Sequence, residues 1–134
     1  TPSWNMARVG GVVFPKMLAR FDAWAYHNGP DKKPGTDDDL KLDAVAATWA
    51  VEEYKATFDD EDIKFVGAID AATSVFTPNL DGPNPQRKGE RNNMGDVWIV
   101  ASYTPPGASA ALKGRSHLLV TAPLYMKFDP TVTP

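Results

Sequence analysis

The stretch Asn92-Asn93-Met94-Gly95-Asp96-Val97-Trp98-Ile99-Val100-Ala101-Ser102-Tyr103 (residues 92–103) decides the fold. Its β-branched and aromatic residues suit a pleated, half-buried strand. Val97, Ile99, Ala101 and Tyr103 share one parity and Asp96, Trp98, Val100 and Ser102 the other. Successive strand side chains point to opposite faces, so one face reads as apolar and the other as mixed. Before this stretch runs a turn-rich loop that includes Thr77-Pro78-Asn79-Leu80-Asp81-Gly82-Pro83-Asn84-Pro85. After it, residues 116–126 read as a second apolar strand, beginning near Arg115 and interrupted by Pro123 before Leu124.

Working outward, the rest of the chain has the same character. Residues 1–15 read as an extended entry in which Val12-Val13-Phe14 is stopped by Pro15, a proline that an edge strand tolerates. Residues 18–27 alternate: Ala19, Phe21, Ala23 and Ala25 form the expected core face, while Arg20, Asp22, Trp24 and Tyr26 face outward. Residues 28–39 hold two prolines and two glycines and read as a loop. In residues 40–54, Val45, Ala47, Trp49 and Val51 alternate, which favours a strand over the helix that the alanines would allow. Residues 63–69 and 74–77, joined by Asp70-Ala71-Ala72-Thr73, read as a hairpin. Thr104-Pro105-Pro106-Gly107 is a turn.

Seven to nine short strands without a convincing helix predict an all-β, antiparallel β-sandwich of the immunoglobulin-like kind, with Trp49 placed to anchor its core. The 134 residues suit one domain, residues 1–134, with a single core. The chain opens Thr1-Pro2-Ser3-Trp4 without an initiator Met, which reads either as the end left by a removed targeting segment or, the preferred reading, as a piece of a longer protein.

Composition narrows function mainly by exclusion. A net charge of −3 and the lack of any Lys/Arg run argue against nucleic acid and anionic membranes as partners. No apolar run approaches the roughly 18 residues of a membrane span. The absence of cysteine removes disulfides, thiolate metal sites, haem attachment through Cys-x-x-Cys-His and cysteine nucleophiles. His27 and His117 are the only histidines, and Ser116, adjacent to His117, points to the opposite face of a strand. A Ser-His-Asp arrangement is therefore not legible, and no catalytic residue is assigned. The acidic run Asp59-Asp60-Glu61-Asp62 reads as a solvated turn. Asp81-Gly82-Pro83-Asn84-Pro85 lacks the following helix that a phosphate cradle needs and reads as turn formers.

Two groups of residues carry functional readings. In the loop over residues 28–39, Asn28, Asp31, Asp37 and Asp39 could offer oxygen ligands to calcium. Lys32 and Lys33 stand where further oxygens belong, so a plain solvent-facing turn is the competing reading. The outward parities expose Trp24, Tyr26 and Trp98, and such aromatics mark a protein interface or a sugar platform. The competing reading places one or more of them in the core.

A succession of segments also resembles a known family. Lys33-Pro34-Gly35-Thr36-Asp37-Asp38-Asp39 is followed by Trp49-Ala50-Val51-Glu52-Glu53-Tyr54, Phe65-Val66-Gly67, Phe76-Thr77-Pro78 and Asp81-Gly82-Pro83-Asn84-Pro85. Asn92-Asn93, Gly95-Asp96-Val97-Trp98 and His117-Leu118-Leu119-Val120-Thr121 complete the series. Together they resemble the C-terminal, immunoglobulin-like domain (domain IV) of the quinohemoprotein amine dehydrogenase α subunit, over most of residues 7–129. The resemblance implies a periplasmic (or extracellular) protein built of a dihaem cytochrome domain and several β domains. In that complex haem c and a quinone cofactor sit in other domains and subunits, and amine oxidation belongs to them. No cofactor maps onto this chain. It is expected to be a non-catalytic structural or assembly domain whose partners are other domains and subunits of an amine dehydrogenase complex. The alternative is a stand-alone binding module, for carbohydrate or protein, working through Trp24, Tyr26 and Trp98.

Overall fold

A computed structural model describes residues 3–4, 8–9, 12–13, 18–55, 61–80 and 83–121. The readings at Pro15, at Asp59-Asp60, at Asp81-Gly82 and beyond Thr121, including the interruption at Pro123, lie outside these residues.

The chain is all-β, as the alternation predicts. Its strands are β1 (Ser3–Trp4), β2 (Arg8–Val9), β3 (Val12–Val13), β4 (Ala19–Arg20), β5 (Ala23–His27), β6 (Leu40–Val45) and β7 (Thr48–Glu53). There follow β8 (Gly67–Ile69), β9 (Val75–Pro78), β10 (Gly95–Tyr103) and β11 (Leu112–Thr121). Among the described residues the helical segments are two three-residue 3₁₀ turns, Asp62–Lys64 and Lys88–Glu90.

One sheet runs β1-β11-β10-β7 and another β4-β9-β8. Among the described strands only β1 against β11 is a parallel pair. A three-strand sheet facing one built around two long antiparallel strands is the division seen in immunoglobulin-type sandwiches. The two inner faces meet at a core of Ala19, Val66 and Phe76 against Val97, Ile99, Leu118 and Val120. Phe21, Trp49, Val51, Ile63 and Ile69 pack around it. Each fully buried side chain of this size contributes about 1.5–3 kcal/mol through apolar area removed from water. Trp49 sits beside Phe21, ring centroids 6.2 Å apart.

The run over residues 18–27 keeps its predicted faces but divides after Arg20. Its first part pairs with β9, its second with β6. Residues 40–54 divide in the same way at 46–47, where the chain leaves β6 and enters β7 beside β10. As a result β5 and β6 form a hairpin that, among the described residues, is laddered to neither large sheet.

Two boundaries and one buried position differ from expectation. Ile63 and Lys64 belong to the Asp62–Lys64 3₁₀ turn, with Phe65 just after it, and do not start a strand, because the Phe65 and Val66 amides donate to the Asp62 carbonyl. The last strand starts at Leu112, since Leu112, Lys113 and Gly114 pair with Tyr103, Ser102 and Ala101 despite weak strand propensity. Val100, on the outward parity of β10, is nonetheless buried, between its ladder partners Arg115 and Ala50.

Candidate interaction surface

Two aromatic surfaces lie outside the core, and each follows from strand register. On β10, Trp98 stands directly opposite His117 of β11 and Glu52 of β7. Opposed residues in an antiparallel pair carry side chains close enough to touch. Tyr54, just past β7, completes the group. Its ring stacks on His117 at 4.1 Å and 17° and meets Trp98 at 5.0 Å. The Trp98 and His117 rings are 5.6 Å apart. The Arg115 guanidinium carbon lies 5.4 Å from the Trp98 ring, a cation–π distance. His117 Nε2 is 2.9 Å from Asp96 Oδ2.

A histidine held by a carboxylate is half of a hydrolytic arrangement, and the neighbouring hydroxyl of Ser116 does not complete it. Ser116 takes the opposite parity and lines the inner side of the sheet. The face presents the exposed Tyr54 and His117 beside Trp98, which is half-buried and not exposed as its parity predicts because these two rings pack on it, with Arg115 of one charge and Asp96 and Glu52 of the other.

The second surface is the outer side of the β5–β6 hairpin. Trp24 and Tyr26 are 47% and 53% exposed, as their parity places them. Lys41, across the ladder from Tyr26, sets its Nζ 4.0 Å above the Trp24 ring. The structure therefore brings Trp24 and Tyr26 together and leaves Trp98 in a different group on a different sheet. It also recruits Tyr54, His117, Asp96 and Arg115, which sequence parity alone did not bring forward. Their common signal is the β10–β11–β7 register, which puts them side by side.

The loop over residues 28–39 uses its carboxylates on itself. Asp31 Oδ1 accepts the Lys33 N–H, and Asp38 Oδ2 accepts the Asp31 N–H. Asp39 Oδ2 accepts the N–H groups of Gly35 and Thr36. The Thr36 hydroxyl donates to Asp38 Oδ1 at 2.7 Å, and with the Asp31 amide it holds the Asp38 carboxyl below the usual carboxylate range. Among the described residues no group of three or more His, Cys, Asp or Glu side chains converges as it would on a metal ion. Of the calcium candidates Asn28, Asp31, Asp37 and Asp39, Asp31 and Asp39 are thus engaged with the loop's own N–H groups.

Asp62, expected in a solvated turn, is instead a structural anchor. Its Oδ1 accepts a hydrogen bond from Arg87 at 2.6 Å, and its Oδ2 accepts the Asp96 N–H. The Arg87 side chain is 1% exposed and also donates to the carbonyls of Asn92 and Met94. Gly95 is needed beside it: a Cβ there would overlap the Asp62 carboxylate, and its φ of +157° lies outside what other residues readily adopt. This anchor fixes the entry into β10 and so the position of Asp96 and Trp98.

Two comparisons with known proteins bear on this surface. The family model described as quinohemoprotein amine dehydrogenase, alpha subunit domain IV, matches residues 1–131. Comparison with curated proteins gives no match.

Proposed function

The chain belongs to the quinohemoprotein amine dehydrogenase alpha subunit domain IV family, and from that premise we propose that it holds such a subunit's other domains and partner chains together. It is an accessory, non-catalytic domain. The amine is oxidised elsewhere in the complex, and this chain acts in the periplasm, where it supplies surface and not chemistry.

The observation that carries the reading is the β5–β6 hairpin. Among the described residues it pairs with no strand of either large sheet, and it turns Trp24 and Tyr26 outward. Large exposed aromatics are costly on a surface with no partner and are enriched at the centres of interfaces. The Trp98–Tyr54–His117 group offers a second contact on the outer sheet face, with Arg115 and Asp96 supplying the polar rim that interfaces carry.

The test is a Trp24→Ala/Tyr26→Ala double variant made within the whole subunit. Both side chains are exposed, so the domain itself is expected to fold. The expected result is normal expression with at least tenfold weaker assembly with the partner chains, measured by analytical ultracentrifugation. Assembly unchanged in that variant and in Trp98→Ala would overturn the proposal. Saturable quenching of tryptophan fluorescence by a soluble glycan would replace it with the binding-module reading.

A further inference from the structure

The packed core stops short of one end of the sandwich. Along β10 and β11 the large buried residues Val97, Ile99, Leu118 and Val120 give way to Ala101, Gly114 and Ser116. Facing them, the inner side of the β5–β6 hairpin presents Ala23 and Ala25. Two sheet faces normally interdigitate across a layer about 10 Å thick. Alanine and glycine on both sides cannot fill that layer, and an apolar cleft of about 570 Å³ remains, floored by Phe21 and Trp49.

We propose that this cleft binds an uncharged, flat apolar molecule. The volume falls within the roughly 300–1,000 Å³ of small-molecule sites, which are walled by apolar groups with a few polar ones for orientation. Charge is turned away: Asp22, Lys113 and Arg115 border the cleft from outward parities, and Arg115 lies over Trp98 on the other side of the sheet. Uncharged polar groups remain for orientation, among them the hydroxyls of Ser116 and Tyr103, of which Tyr103 shares the face of Ile99 and Ala101, and the indole of Trp49. Apolar walls of Ala23, Ala25, Ala101, Leu42 and Val45 over an aromatic floor favour a ring system, which stacks on or against such rings. A peptide segment is a poor occupant. Sheet faces present no backbone donors or acceptors, so its amides would be desolvated without partners. Among the described residues the β5–β6 hairpin pairs with no other strand, so this wall of the cleft is not laddered to either large sheet. This proposal rests on the cleft alone and stands or falls separately from the assembly role.

The experiment is a titration of the full chain with N-phenyl-1-naphthylamine, an uncharged dye that fluoresces in apolar surroundings. The expected result is a saturable, one-to-one fluorescence rise. Ala101→Phe, which fills the slot, should weaken it at least tenfold, with circular dichroism reporting the fold. Leu42→Asp gives a second reading without a core change, because Leu42 is 52% exposed at the mouth, and should weaken it comparably. Leu119→Ala, on the opposite face of β11, should leave it unchanged. No saturable rise, equal binding by both cleft variants, or loss in Leu119→Ala would each overturn the proposal. So would a signal that disappears as protein concentration rises, which would mean that copies of the chain cover the cleft.

Discussion

Replacing Arg87 by methionine should cost this domain about 3–5 kcal/mol, the usual penalty for removing one partner of a buried ion pair. The side chain is almost fully enclosed, and oxygens that depend on it include Asp62 Oδ1 at 2.6 Å and the carbonyls of Asn92 and Met94 at 2.6 and 2.8 Å. Methionine keeps much of the aliphatic volume beside Phe65 but supplies no donor. The Asp62 carboxylate would keep its Asp96 amide and lose its counter-charge. For a domain of this length, at roughly 3–5 °C per kcal/mol, the melting temperature should fall by on the order of 10–20 °C. Urea unfolding with the slope held constant gives the free energy directly. Arg87→Lys should recover only part of the loss, because an ammonium cannot reproduce the guanidinium fork. Adding Asp62→Leu to Arg87→Met should cost less than the sum of the two single changes, since the second removes a charge already stranded. A loss under about 1 kcal/mol for Arg87→Met, or strict additivity in the cycle, would refute the assignment of Asp62–Arg87 as the anchor of the β10 entry.

Three further outcomes follow from single observations. Asp70 accepts the amides of Thr73 and Ala72 in the β8–β9 turn, and these bonds, the Thr73 amide first, lower its carboxyl pKa. The stabilisation is therefore present above the unfolded carboxylate value of about 3.9 and is lost as pH falls through the lower folded value. An NMR titration should show Asp70 ionised below the pH at which exposed aspartates protonate, and Asp70→Asn should abolish that difference. Gly95→Ala should destabilise by at least 2 kcal/mol, about the cost of displacing a buried charged acceptor, and calorimetry would detect it. Added calcium, followed by its chelation, should leave the melting temperature unchanged, because the carboxylates of the 28–39 loop already accept its own N–H groups; a rise in the metal's presence would contradict this.

What was legible in the sequence was whatever period two encodes. Residues 18–27 show their inner and outer faces in the alternation itself, and β10 shows Val97 and Ile99 as core in the same way. Trp49 could be placed in the core from its strand and parity alone. The breaks at 21–22 and 46–47 were not legible, because the apolar alternation continues across both while the pairing partner changes. Nor was the Trp98–His117–Tyr54 group, which depends on the register of three strands drawn from residues 48–121. Asp62 and Arg87 carry no local signal at all. One sits at the end of an acidic run and the other in a mixed-charge loop, and only the tertiary structure brings them 2.6 Å apart.

The central claim, a non-catalytic assembly domain of an amine dehydrogenase subunit, is tested most directly by isolating the protein from its native source. Intact mass and visible absorbance should be recorded for it and for everything that elutes with it. The account predicts that these residues appear joined to, or tightly held by, a haem-bearing chain, together with a small quinone-bearing subunit. A lone species of about the mass of these 134 residues with no haem absorbance would contradict it.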